Sequence, residues 1–321
     1  MKNLLRLSGA AGVAAALIAG YILPPYYQSL LIFLFIYGSL ALSYDIMGGL
    51  LGYMNLGHII FYGIGAYSFG LSLNYLYTIY EGDVWLAFST ALFTSLVCGA
   101  AVALLLSYPL FRVKGFYFAV VTLGLISLLN LIVSSPELSP LTGGFSGITV
   151  KSEVARYSSP TLSYYMALLV FAITGAVHIR VRKSSTGLFF NCIKEDEEVA
   201  ECTGINLFRY KQAALILSAV LASLAGVVYL WSQTYTNPRF VFSIDFAFLP
   251  ITIALLGGSG TFIGSLIGAA IFTAIYQFLL VNIPTLTKTA IGIVLIGVGL
   301  GASTGLVGLV KKFFNHRRSI S

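Results

Sequence analysis

Runs of mainly apolar residues long enough to cross a lipid bilayer recur along almost the whole chain, and nothing else in the sequence constrains its fold as much. A helical span needs roughly 20 such residues, because in hydrocarbon the backbone must satisfy its own hydrogen bonds. Ten candidates can be marked: residues 8–23, 29–47, 56–78, 85–107, 115–134, 162–181, 212–232, 240–256, 261–281 and 288–310. Composition closes the alternatives. With 58% of residues apolar and only 9% charged, against about 25% charged in a soluble domain, the chain cannot clothe a water-facing surface. The expected fold class is an all-α polytopic membrane protein of about ten transmembrane helices, arranged as one domain over residues 1–321. The 33 glycines suit closely packed membrane helices, where small residues let backbones approach. The first run follows Lys2 and Arg6, as in a signal peptide, but no small-residue cleavage site stands out, so it is read as a retained span.

Charge sets the expected orientation. Cytoplasmic segments of membrane proteins carry an excess of Lys and Arg. An N-terminus placed inside puts Lys2, Arg6, Arg112, Lys114, Arg180, Arg182, Lys183, Lys194, Arg209, Lys211, Lys311, Lys312, Arg317 and Arg318 inside, and only Lys151, Arg156, Arg239 and Lys288 outside. Ten crossings then leave both termini cytoplasmic. The net charge of +7 is thus a topology signal, and no nucleic-acid partner is expected. Cys98, Cys192 and Cys202 are read as reduced, and no four-ligand spacing suggests zinc or another metal site.

Two connecting segments are long enough to carry function. The outer one, residues 135–161, holds Thr142, Gly143 and Gly144 in a turn-rich stretch, read either as a connector or as a docking surface or plug. The inner one, residues 182–211, holds Glu195, Asp196, Glu198 and Ala200 before Gly204. Acids at the start and glycine at the end predict a helix of two to three turns from Glu195 to Gly204, either a solvated face or a site where something soluble binds.

The chain lacks a Walker A pattern, a zinc-protease motif and a nucleophile elbow, and its histidines, His58, His178 and His316, are scattered. No enzymatic role is therefore expected. Asp45 is the one acid well inside a predicted span, with Asp245 near the end of another. A single buried acid can serve an ion-driven carrier, but so sparse a set fits better with energy supplied by another subunit. Asp45 can equally be a helix-end residue reaching headgroups or packing against Tyr44 and Asn55.

Glycine-interrupted apolar segments in the two halves of a transporter point to its substrate route. The first half has such a break around Asn55, Gly57 and His58, and the second around Gly257, Gly258 and Ser259. A weak inverted repeat or ordinary small-residue packing accounts for the pair equally well.

Five blocks, residues 51–67, 117–123, 141–148, 193–206 and 255–269, stand in the order found in a known family. By them the chain resembles, over most of its length, the LivM-type permease subunits of ABC importers for branched-chain amino acids. The resemblance implies that Glu198, Ala200 and Gly204 keep the spacing of the loop that docks on the ATPase, with Val199 in place of an alanine. Asn55 stands where serine is expected, and Ile126 and Ser127 replace a Gly-Glu pair, which removes an intramembrane acid. The two breaks, with Thr122, give the expected route through Asn55, Gly57, His58, Thr122, Gly257, Gly258 and Ser259, and the resemblance further implies no cofactor in this chain, with ATP and Mg bound by the partner. Expected partners are a second permease (LivH-like) or a second copy, two ABC ATPase subunits, an external solute-binding protein and membrane lipid. Permeases for urea and short amides share the blocks and form the alternative within the class; a stand-alone carrier or channel is the alternative outside it.

Overall fold

A computed structural model describes residues 16–283 together with 289, 292 and 293. All but three residues of the expected span at 288–310, the first half of that at 8–23, Lys2, Arg6 and the basic tail from Lys311 to Arg318 lie outside the described residues. Within them the protein is helical apart from one two-residue strand pair.

The long helices are α1 (Pro25–Asp45), α2 (Ile59–Ile79), α3 (Val84–Leu110), α4 (Phe116–Ser134), α5 (Pro160–Lys183), then the shorter α6 (Ser185–Glu195) and α7 (Glu197–Cys202), followed by α8 (Leu207–Gln233), α9 (Ile244–Gly257) and α10 (Phe262–Asn282). Their starts follow local chemistry. Pro25 and Pro160 occupy first-turn positions that need no N–H. Asp83, Ser159, Ser184, Asn206, Ser243 and Thr261 each accept a backbone N–H of the following turn.

Seven segments among the described residues are long and apolar enough to cross a membrane. They correspond to the expected spans beginning at 29, 56, 85, 115, 162, 212 and 261. The expected span at 240–256 is broken. Asn237 caps a single turn, Pro238–Val241, and Ser243 caps α9 after it, so α9 has only 14 residues. At 1.5 Å per residue it extends about 21 Å, short of a ~30 Å hydrocarbon core.

Helix α8 is the centre of the bundle and packs on α1, α2, α3 and α5, while α1 also meets α9 and α10. The α2–α8 crossing is made by missing side chains: a Cβ on Gly65 would collide with the Ser223 backbone, and one on Gly226 with the Tyr62 carbonyl. Hydroxyls use the closeness. Ser95 donates to Gly65 O at 3.0 Å and Ser223 to Phe61 O at 3.0 Å, each worth about 0.6 kcal/mol in a bilayer.

At one end of the bundle, strand β1 (Ile148–Thr149) pairs antiparallel with β2 (Tyr235–Thr236). Asn130 of α4 donates to Pro238 O at 3.1 Å and Phe242 O at 3.0 Å. The segment 135–161 is thereby stitched to residues 234–242. The opposite end carries Arg112, Lys114, Arg180, Arg182, Lys183, Lys194, Arg209 and Lys211 and is called the basic face below.

Candidate functional site

Both glycine breaks lie at the basic face. At the first, α1 does not end cleanly: it loosens into a single π-helical turn, Ile46–Leu50, then an extended stretch, then the 3-10 turn Leu56–His58 that starts α2. Single π turns inside α-helices mark functional sites more often than chance. Asn55 (1% exposed), His58 (0%) and Thr122 (1%) are sealed in the packing, and a Cβ on Gly57 would sit 2.7 Å from the Thr122 carbonyl. Ser43 and His58 Nε2 share a hydrogen bond of 2.8 Å, while Asn55 Nδ2 has no hydrogen-bond partner among the described residues.

The second break is a tight turn between α9 and α10. Gly257 is buried against Gly264, Gly258 is buried at φ +111° and ψ 101°, Ser259 is exposed, and Gly260 has φ +78°. L-residues rarely adopt the Gly258 geometry, so glycine is required there by backbone sterics.

Asp45 joins the breaks. Rather than reaching headgroups it is 0% exposed at the end of α1, with both carboxylate oxygens accepting the Gly260 N–H at 2.8 Å and Oδ2 lying 2.8 Å from His178 Nε2 of α5. Two of the histidines that look scattered in sequence thus hold definite partners: His58 meets Ser43 and His178 meets Asp45.

The inner segment departs from a single helix running Glu195 to Gly204. Lys194 and Glu195 close α6, and the chain kinks at Asp196, whose φ of −159° and ψ of 116° are extended. The Asp196 carboxylate caps α7 by accepting Glu198 N at 2.9 Å and Val199 N at 3.1 Å. An acid counted as favourable inside a helix start is in fact the cap that separates two helices. Gly204 does end α7, with φ +85°. Its N–H reaches Glu201 O at 2.9 Å and Ile205 N reaches Ala200 O at 3.2 Å, the paired bonds of a Schellman stop.

Helix α7 has two unlike sides. Glu198 and Val199 are exposed and Ala200 is buried. Glu197 turns inward, where Lys211 of α8 pairs with it at 2.8 Å and the Tyr53 hydroxyl donates to its other oxygen. Lys211 Nζ also lies 2.5 Å from the Tyr53 hydroxyl and 4.6 Å from the ring centroid. Burial, then the hydrogen bond to Glu197 and the charge on that carboxylate, raise the Tyr53 phenol well above its usual value, so it stays a donor. Alongside, Lys194 donates to Gly49 O at 2.8 Å. Grooves of about 420 and 410 Å³ flank α7, one reaching Met54 and Phe116, the other Lys114 and Phe208.

At the opposite end Thr142 is 7% exposed and donates to Val133 O at 2.7 Å, and Gly143 and Gly144 turn the chain back with positive φ. Arg239 lies over the Phe145 ring at 5.2 Å.

Reading the sequence missed Glu197, Tyr53, Lys211, Lys194 and His178. Lys211 carried a signal, since a lysine within the first turns of an apolar helix is expensive unless paired; counting it only as a topology charge concealed that. Tyr53 carried none.

Comparison with known proteins places the arrangement. A family model described as branched-chain amino acid transport system, permease component, matches residues 26–299. The high-affinity branched-chain amino acid transport system permease protein LivM of Escherichia coli K12 is 30% identical over 253 residues, covering 70% of this chain and 57% of that protein. LivH of Salmonella typhimurium is 26% identical over 244 residues, covering 73% of this chain and 79% of that protein. A probable LivM of Methanocaldococcus jannaschii is 23% identical over 189 residues, covering 58% and 54%. The match thus spans just over half the length of the LivM relatives.

Proposed function

Since the chain belongs to the family of permease components of branched-chain amino acid transport systems, we propose that it is the LivM-type permease subunit of an ABC importer, moving branched-chain or other apolar amino acids across the cytoplasmic membrane. The chain itself performs no covalent chemistry; two partner ATPase subunits bind ATP and Mg and hydrolyse the nucleotide. A second permease, LivH-like or a second copy, completes the membrane unit, and an external solute-binding protein delivers the solute. On this reading the basic face is the cytoplasmic one, which its excess of Lys and Arg supports, and both termini belong to that side.

One observation carries the reading. Helix α7 offers Glu198 and Val199 to the outside while Glu197, Lys211 and Tyr53 fasten its inner side to α8 and to the first glycine break. A solvated acidic loop has no reason to be bolted to a membrane helix by a lysine that is 4% exposed. A docking helix does, because force applied to it must reach the spans. When the ATPases close, α7 is displaced, and the packed residues Asn55, Gly57, His58 and Thr122 separate from one another to open the route beside Gly257 and Gly258. Ser259, on the surface of its turn, marks the mouth of that route.

The deciding experiment is uptake of radiolabelled leucine, isoleucine and valine into proteoliposomes holding the purified complex, with binding protein outside and ATP inside. Uptake that requires both ATP and the ATPase subunits is expected. Equal uptake without them would assign the chain to stand-alone carriers or channels, and uptake of urea or acetamide in place of the amino acids would move it to the amide permeases. Single cysteines at Lys194 and Glu153 should be labelled from opposite sides of the membrane.

A further inference from the structure

Nothing above explains why a membrane protein with 11 acidic residues keeps one of them wholly buried among its helices. A carboxylate in such a place is costly and normally marks function. Asp45 is 0% exposed, and among the described residues no third acid, histidine or cysteine joins it and His178 as a metal set. Among the described residues its side chain reaches α5 through His178, the second glycine break through the Gly260 N–H, and its own π turn at Gly49.

The π turn leads onward. A Cβ on Gly49 would overlap Asp45 Oδ1 and come within 2.8 Å of Gly260 N, so the Gly49 backbone lies directly on the Asp45–Gly260 contact. The carbonyl of the same glycine accepts the Lys194 Nζ hydrogen bond at 2.8 Å. A continuous path of contacts therefore runs from the end of α6 through one peptide unit to Asp45 and the turn between α9 and α10. The first break is tied to α7 directly, by Tyr53; the second has no such tie among the described contacts and meets the α6–α7 pair through Asp45.

We propose that Asp45, oriented by His178 and holding the Gly260 amide, is the positioning residue that makes the second glycine break follow the motion of α6 and α7. The inference rests on the permease reading and adds to it how the two halves of the route move together. Pulling on α6 shifts Gly49 by way of Lys194, and the carboxylate carries the shift to the Gly258–Gly260 turn because both of its oxygens are engaged there.

The test uses the reconstituted complex and reads the ratio of solute taken up to ATP hydrolysed, which loss of folded protein alone leaves unchanged. Asp45→Leu, which removes both contacts, is expected to lower that ratio by about tenfold, and Asp45→Asn, which keeps one acceptor for Gly260, by about fivefold. His178→Gln, still able to donate to Asp45, should retain most of the ratio, and His178→Leu should not. Lys194→Met should lower it less than Asp45→Leu, and combining the two should be no worse than Asp45→Leu alone, because both cut one path. Should Asp45→Leu fail to assemble, spin labels at the exposed Ser259 and Glu195 read the same point in Asp45→Asn. Their separation is expected to change little with ATP in the wild type, where the two sites move together, and to change clearly in the variant. An unchanged ratio in Asp45→Asn with intact ATP-dependent uptake in the wild type, a multiplicative Lys194→Met and Asp45→Leu pair, or identical label distances in variant and wild type would overturn the positioning role of Asp45 alone. Wild-type uptake without ATP would instead overturn the permease reading on which it rests.

Discussion

The two glycine breaks answer the same demand in different ways. In the first, α1 loosens into the π turn Ile46–Leu50 and the chain wanders through Tyr53 and Asn55 before α2 begins. In the second, α9 reverses into α10 within four residues, with Gly258 buried at φ +111° and Thr261 capping the next helix. The first is long and touches the helices on the basic face at two points, through Lys194 and Tyr53. The second is short, closed on itself by Thr261 and held from outside by Asp45 at the Gly260 N–H. A break meant to take up motion needs length and handles, whereas one meant to be carried needs stiffness and a single grip. The same residue type, glycine, serves as slack in one and as geometry in the other.

If the second break is rigid by backbone geometry, the largest effect belongs to Gly258→Leu. A side chain there is strained in its backbone at a buried position, so uptake should fall to background while the complex still assembles with its ATPase. Leucine uptake beside co-purified ATPase measures both, and normal uptake would remove the turn from the route.

Lys211→Met probes the handle of the first break. It leaves Glu197, with a side chain 22% exposed, without its cation. Because water still reaches that carboxylate, the loss should be about 1 to 3 kcal/mol, below that of a fully buried pair. The expected outcome is a lower melting temperature of the purified permease and ATP hydrolysis that continues with several-fold less uptake.

Tyr53→Phe sharpens the contrast. It removes one donor from the same cluster and should cost about 1 kcal/mol. A pH series gives the sign: the Tyr53 phenol is raised above its ordinary value of 10.0, so the neutral donor's contribution is complete below that value and fades only as pH climbs through the raised one. The stability difference between wild type and Tyr53→Phe should therefore be flat from about pH 6 to 9. A difference that shrinks within this range would mean that the phenol is not held by Glu197.

Glu198→Ala should have the smallest effect. The side chain is exposed, so the contact with an ATPase proposed for it would lie at a rim, where ion pairs are worth about 0.2 to 1 kcal/mol. Titration of the ATPase subunit against solubilised permease should show a shift of no more than about fivefold. A shift greater than that seen with Lys211→Met would place the docking energy on the exposed side of α7 rather than on its anchorage.

Sequence alone determined the class of molecule, because hydrophobic length and charge scarcity are properties of local composition that tertiary packing does not alter. Seven spans, the glycine stop at Gly204 and the breaks near Asn55 and Gly258 were legible in the local sequence, and the family in the order of five sequence blocks. The interruption between Phe240 and Leu256 was written in Asn237 and Ser243, residues that cap helices, but averaging hydropathy over a span hides single capping residues. The split at Asp196 was hidden for a related reason, since an acid reads equally well as a cap or as a first-turn charge. What only the tertiary structure decided is who holds whom. Asp45 and His178 are 133 residues apart, Tyr53 and Glu197 144, and Tyr53 and Lys211 158. Helices that are apolar on every side carry no strong face to say how they are turned against their neighbours. Their rotation is set by where small residues permit close approach and by the need to give each buried polar group a partner, and both conditions exist only once the chain has packed.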